Sequence, residues 1–237
     1  MQTDLISAIR TELEQQVDEK TRSHVHSFFK EPVTFYGVKN SIVERIARKY
    51  FLEITHLGKQ EIFSRCEELL KSDYGEEAFI AFDWAYRIRD RYEPGDFARF
   101  ESWLHKYVNN WAKCDTLCNH TVGAFITRYP QYVEHLKRWA KRENRWLRRA
   151  AAVTLIIPAK QGAFLKDVLA IADILLQDKD DLVQKGYGWM LKEASRKHQA
   201  EVFDYVMRHK ETMPRTALRY AIEKMPEDLR RQAMAKD

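Results

Sequence analysis

The 237-residue chain has little of what interrupts helices, with eight glycines and six prolines. Sheet-rich domains use both residues in frequent tight turns, so their scarcity argues against a sandwich or a barrel. Cysteine is scarcer still, at Cys66, Cys114 and Cys118. Three thiols do not make a disulfide framework and fit a reducing compartment. No apolar run approaches the roughly 20 residues needed to cross a bilayer. The opening "MQTDLISAIRTELEQQ" has no basic stretch followed by an apolar one. The expected location is therefore the cytoplasm, with no membrane contact.

Familiar chemical signatures are also missing. There is no Gly-rich phosphate loop and no G-x-S-x-G elbow, so a nucleotide enzyme or a serine hydrolase of familiar type is unsupported. Cys114, Asp115, Cys118 and His120 lie close together, yet no second Cys/His pair completes a tetrahedral set. Neither a metal nor a cofactor is expected.

What the chain does have is charge, aromatic residues and helical periodicity. Lys and Arg number 40 against 35 Asp and Glu, a formal charge of +5, and the isoelectric point is near 9.0. This balance suits a polyanionic partner, nucleic acid first. Apolar residues recur at three- and four-residue spacing from end to end, which predicts an all-α chain. Helices are expected near 3–17, 20–30, 39–53, 59–71, 75–90, 95–108, 114–128, 131–141, 144–157, 163–177, 180–196, 198–209, 214–223 and 226–235. Several breaks, such as "RYPQY", "TMPRT" and "KMPED", put Pro where a first helical turn can use it.

Helix ends at Leu70, Leu104, Trp139 and Leu176 recur about every 35 residues, the length of a helix pair. Such a pair cannot bury its apolar face alone, so neighbours must stack into a curved solenoid. No Gly/Ser/Pro-rich linker interrupts the period, and residues 1–237 are read as a single domain with HEAT-like repeats and a basic concave face. An irregular helical bundle is the alternative. The segment "KRWAKRENRWLRR" (137–149) carries seven cationic side chains and one glutamate, with Trp139 and Trp146 assigned to the core. Further clusters stand at "YRIRDRY" (86–92) and "VQKGYGWMLK" (183–192). Cations at corresponding helix ends suit a phosphate backbone, while a solvated surface is the plainer explanation of each run alone.

In "NNWAKCDTLCNH" (109–120), Trp111 and Asp115 share one helix face, an aromatic plate beside a carboxylate. Such a pair attracts a cation and can oppose positive charge developing in a transition state. Alternatively, Trp111 fills the core and Asp115 caps a helix.

The surrounding residues add to this. "FYGVKNSIVERIARKY", "NNWAKCD", "RENRWLRRAA" and "VQKGYGWMLKEASRK", in this order over nearly the whole chain, resemble the AlkD-type DNA alkylation repair enzymes, a bacterial family of HEAT-like repeat DNA glycosylases. The resemblance implies double-stranded DNA containing N3- or N7-alkylated purines as substrate, hydrolysed at the glycosidic bond without burial of the base in a pocket. It implies Asp115 as catalytic carboxylate, Trp111 and Trp189 as aromatic walls, and Arg149 on the DNA backbone. Arg148, Lys39, Lys113, Arg145, Lys185 and Lys192 complete the expected DNA-binding set, and a monomer suffices. Phe28, a neighbour of the lesion site, stands where the family carries a tyrosine, and Lys39 where it carries a neutral polar residue. Asn110 and Ala112 flank Trp111 where the family is richer in aromatic and acidic residues. These departures bear on lesion preference. Two other functions remain open at this point: a non-catalytic reader of distorted or branched DNA, and a protein-interaction scaffold.

Overall fold

The structure, a computed structural model, describes residues 4–235. Every regular element among them is helical. The chain runs through α1 (Leu5–Gln15), α2 (Glu19–Phe28), α3 (Asn40–Ile54), α4 (Lys59–Leu70), α5 (Gly75–Arg87), α6 (Asp96–Tyr107), α7 (Trp111–Thr116) and α8 (Gly123–Arg128). It continues through α9 (Val133–Trp139), α10 (Arg145–Val153), α11 (Ile156–Lys160), α12 (Leu165–Leu175), α13 (Asp181–Ala194), α14 (Gln199–His209), α15 (Arg215–Ile222) and α16 (Glu227–Met234). A π-helical segment, Leu117–Val122, joins α7 to α8 into one rod. Among the described residues no helix is long and apolar enough to cross a membrane.

The fold is an all-α helical-repeat solenoid, and its period is written in polar contacts between repeats. Trp84 Nε1 donates to the Ala47 carbonyl (2.9 Å), Trp103 Nε1 to Glu67 (3.0 Å) and Trp139 Nε1 to Glu101 (2.6 Å), across 37, 36 and 38 residues of sequence. The Tyr129 hydroxyl donates to the Tyr92 carbonyl (2.8 Å) across 37 residues, and His198 meets the Gly162 carbonyl (2.9 Å) across 36. Each indole or phenol buries its ring in the stack and needs a partner for its one polar group. The preceding repeat supplies it. Packing follows the same order, α4 and α3 against α5, then α10, α12 and α15 against α13. The buried apolar residues, Phe35 apart, form one continuous cluster from Ile6 to Ala233.

Two of the sequence-derived helices differ in detail. The one expected over 144–157 is broken between α10 and α11, because Pro158 has no N–H for the Thr154 carbonyl. The one expected from 114 begins at Trp111, because Asn110 supplies the cap.

One stretch departs from the repeat. Residues 29–39, between α2 and α3, form no helix and are held by two buried carboxylates at the start of α5. Glu76 accepts from the N–H groups of Tyr36, Gly37 and Val38 at 2.9–3.0 Å. Glu77 takes the Tyr36 hydroxyl (2.8 Å) and the Arg10 guanidinium (3.1 Å). A carboxylate buried this deeply is tolerable only with such partners.

Candidate functional site

Asn110 fixes the start of α7: its Oδ1 accepts from the Lys113 N–H at 3.0 Å. Trp111 is therefore the first helical residue and Asp115 lies one turn further on, inside the helix and not at its cap. Cys114, Leu117 and Cys118 are fully buried in the core, while Trp111 and Asp115 line a cleft. The π-helical turn begins two residues after Asp115, a distortion that recurs at functional sites. It brings His120 to the same cleft.

The second wall comes from α13, capped by Asp180, whose Oδ1 accepts from the N–H groups of Leu182 (2.9 Å) and Val183 (3.2 Å). Two glycines inside this helix each cost about 1 kcal/mol relative to Ala. The structure explains the second, Gly188. A Cβ on Gly188 would lie 2.7 Å from the Ala217 carbonyl oxygen and 2.7 Å from the Tyr220 Cβ, so α13 and α15 touch at backbone distance. A Cβ on Gly186 would meet the Arg149 side chain only at ordinary van der Waals distance, 3.4 Å. Trp189 projects between these contacts into the cleft.

Arg149 joins the two walls. Its Nε donates to Asp115 Oδ1 (2.8 Å) and its Nη2 to Oδ2 (2.7 Å), a bidentate pair, while Nη1 donates to the Leu182 carbonyl. The side chains of Asp115 and Arg149 are 14% and 6% exposed. Burial pushes the Asp115 carboxyl above its ordinary value, and Arg149 opposes the rise. For Arg149 burial acts downward, but the contact with Asp115 prevails and the guanidinium is held above its ordinary value. Each partner keeps the other charged.

Trp111, Asp115 and Trp189 line two clefts at once. The first, about 580 Å³, runs toward α3 and α5 and is floored by Val43, Phe79 and Phe82, with Glu44, Asp83 and Tyr86 around it. No lysine or arginine lines it. The surrounding protein pushes the His120 imidazole below its ordinary value, with Asp83 opposing. The second cleft, about 520 Å³, runs toward α15 and presents Lys30, Lys185, Lys192 and Arg149 with Phe28 and Tyr220; its carboxylates are Glu31, Asp115 and Asp181.

The remaining cations expected to meet DNA are distributed unevenly. Lys185 and Lys192 lie at the second cleft, paired with Asp181 (2.9 Å) and Glu223 (3.0 Å). Lys39 is exposed at the start of α3, 3.6 Å from Asp18. Lys113 is 2% exposed, its ammonium bound to the Asp73 carboxylate (2.6 Å) and carbonyl (2.8 Å), where it braces a left-handed turn at Asp73 (φ 65°). Arg148 is engaged by Asp178 and by the carbonyls of Arg142 and Glu143. Arg145 lies between Glu31 (2.8 Å) and Asp180 (2.7 Å) and ties the 29–39 stretch to α10 and α13. Trp139 and Trp146 are buried in the core, as their spacing suggests.

Sequence reasoning passes over the aromatic backing of Trp111. Phe29 stacks on the indole (5.2 Å, 19°), Phe35 stacks on Phe29 (5.5 Å, 29°), and the Phe35 ring rests where a side chain on Gly75 would be. The cluster of rings in "FFKEPVTF" is the available signal. It is spent on contacts that no periodicity describes.

A family model described as DNA alkylation repair enzyme matches residues 9–225. No curated protein matches the chain in sequence. A solved structure, a predicted DNA alkylation repair enzyme from Enterococcus faecalis, superposes with a TM-score of 0.79 at 16% identity, covering 90% of this chain and 98% of that one. At this identity the likeness speaks for the fold.

Proposed function

The chain belongs to the DNA alkylation repair enzyme family, and from that premise we propose that it releases positively charged N3- and N7-alkylated purines from duplex DNA by hydrolysis of the N-glycosidic bond. The observation that carries this reading is the convergence of Trp111, Asp115 and Trp189, from two helices, on one line shared by both clefts.

A cationic alkylpurine is already a good leaving group, so no general acid has to protonate it. As the bond breaks, positive charge leaves the base and appears on the sugar, which becomes oxocarbenium-like. A carboxylate beside the sugar stabilises that charge more in the transition state than in the ground state, the condition for catalysis. Arg149 takes one acceptor site on each oxygen of Asp115. An ionised carboxylate has about four such sites, so others remain for a water attacking the sugar. Arg149 is a positioning residue in this scheme, keeping Asp115 ionised and aimed from the cleft floor. The two indoles hold the nucleotide by van der Waals and cation–π contact, each worth about 0.5–2 kcal/mol. Phe29 already covers one side of Trp111 and stiffens it. Phosphates belong in the lysine-bearing cleft, since the charged side chains lining the other are all carboxylates.

The test is to incubate the protein with duplex DNA containing N7-methylguanine or N3-methyladenine and to quantify free base beside an Asp115→Asn control. Release should fall by at least ~100-fold in the variant, in line with removal of one electrostatic stabiliser, with DNA affinity retained. Equal release by both proteins would refute the assignment of Asp115.

A second reading, a non-catalytic binder of distorted or branched DNA, draws on one observation: both oxygens of Asp115 already face Arg149. It predicts salt-sensitive binding with no free base from either protein.

A further inference from the structure

Several tyrosines of the stack spend their hydroxyls on the protein itself. Those of Tyr92, Tyr129 and Tyr187 donate to the carbonyls of Ala85 (2.8 Å), Tyr92 (2.8 Å) and Leu176 (3.0 Å), and that of Tyr36 to Glu77 (2.8 Å). Tyr220, on α15, differs from these. It is half-buried and lines the lysine-bearing cleft with Asp115 and Trp189, and its hydroxyl has no hydrogen-bond partner among the described residues.

The phenol is held in place. A Cβ on Gly188 would lie 2.7 Å from the Tyr220 Cβ, so the root of this side chain presses on the α13 backbone one residue before Trp189. The Lys192 ammonium lies over the ring, 5.6 Å from its centroid, and is itself tied to Glu223 (3.0 Å). The ring is also within electrostatic reach of Arg149, the partner of Asp115. A donor fixed in this way loses little freedom when an acceptor arrives.

The charged donors on the same side of the cleft are already answered. Arg149 binds Asp115, Lys185 binds Asp181 and Lys192 binds Glu223, whereas the Tyr220 hydroxyl has nothing to give up. The chemistry of a DNA strand narrows what the phenol can meet beside Asp115. Deoxyribose within a strand has no free hydroxyl, and the phosphates on either side of it carry the charged acceptors. Tyrosine positions a backbone through such oxygens without adding charge of its own. We propose that the Tyr220 hydroxyl donates a hydrogen bond to a phosphate adjoining the nucleotide that faces Asp115, and so sets the register of that nucleotide against the carboxylate. Tyr220 is then a positioning residue. This rests on the reading of the chain as a DNA-binding repair enzyme and adds to it the contact that locates the strand.

The experiment compares the wild type with Tyr220→Phe, which keeps the ring beside Lys192 and removes a hydroxyl without a protein partner, so the fold stays intact. Binding is titrated on a duplex carrying 2′-fluoro N7-methylguanosine, whose glycosidic bond resists hydrolysis, with the phosphates around the lesion replaced one at a time by methylphosphonate. On the all-phosphate duplex the variant should bind about 10-fold more weakly, the size of one hydrogen bond to a charged acceptor. Its salt dependence should match the wild type, because no charge is lost. At one phosphate flanking the lesion, one methylphosphonate diastereomer should weaken the wild type and erase the difference between the two proteins. Equal affinity of both proteins for the all-phosphate duplex overturns the contact, and so does a deficit that persists at every methylphosphonate position. Either result leaves the glycosylase standing if an unmodified N7-methylguanine duplex still loses its base. A deficit tied to one phosphate without any base release keeps the contact and removes the glycosylase. Absence of DNA binding removes both.

Discussion

On the α3–α5 side of Trp111, the cleft surface carries Glu44 and Asp83 around phenyl rings and has no lysine or arginine. On the α13–α15 side it carries three lysines and Arg149, with Phe28 and Tyr220 among them. Both sides share Trp111, Asp115 and Trp189. The difference shows that the chain's net positive charge is not spread evenly over its grooves. In the proposed function the lysine-bearing flank is the one that takes the DNA phosphates, since on the other flank Asp83 is answered by Arg87 and Glu44 is left without an ionic partner among the described residues.

Removing the joint between the two walls should have the largest effect. Arg149→Met leaves the Asp115 carboxylate buried without its partner, and the expected cost is about 3–5 kcal/mol, read as a drop in thermal unfolding temperature. The same variant tests the electrostatics of the pair. Burial already raises the Asp115 carboxyl above its ordinary 3.8, with Arg149 opposing. Activity that needs the ionised form should therefore fall with decreasing pH along a limb lying above 3.8 in the wild type. Arg149→Met should move that limb higher still, since it removes only the opposing influence; a limb that moves down contradicts the pairing.

Next in size are the cations. Lys185→Ala with Lys192→Ala should weaken binding to all duplexes alike and reduce the slope of log K against log salt by about 2, near 0.9 for each phosphate that is no longer neutralised. Lys113→Met serves as the contrast. Its ammonium braces the turn at Asp73, so stability should fall by about 1–3 kcal/mol, while the salt slope stays unchanged. A lower slope in Lys113→Met would mean that Lys113 leaves Asp73 to meet DNA.

The smallest effect tests the other flank. The Glu44 side chain has no hydrogen bond or ion pair among the described residues. Glu44→Gln should cost no stability and should strengthen binding to undamaged duplex by at most about 0.5 kcal/mol, which filter or anisotropy titrations at low salt can resolve. Weaker binding would break the contrast between the flanks.

Much of this architecture was legible in the sequence. Helices follow from period and caps, and the repeat from helix ends, because both are local signals. Trp111 and Asp115 could be placed on one face from spacing alone. The fate of the cations was not legible. Lys113, Arg145 and Arg148 look alike in the sequence, yet their carboxylate partners Asp73, Glu31 and Asp178 come from neighbouring or remote repeats. Counting charge along the chain cannot see such neutralisation. The same holds for Asp115 itself, whose partner Arg149 lies 34 residues away. Asn110 was within reach: an Asn one residue before the helix is an ordinary cap, and reading it so would have placed Asp115 inside the helix.

The close approach at Gly188 has a consequence in the language of descent. The backbone of α15 occupies the space a side chain would need, so position 188 cannot drift independently. A lineage that acquires even an alanine there must widen the α13–α15 spacing in the same history, through changes around Ala217 and Tyr220. Trp189 and the Leu182 carbonyl ride on the same helix, so such a lineage would inherit an altered cleft as well. Among homologues, positions 188, 217 and 220 should change together or not at all.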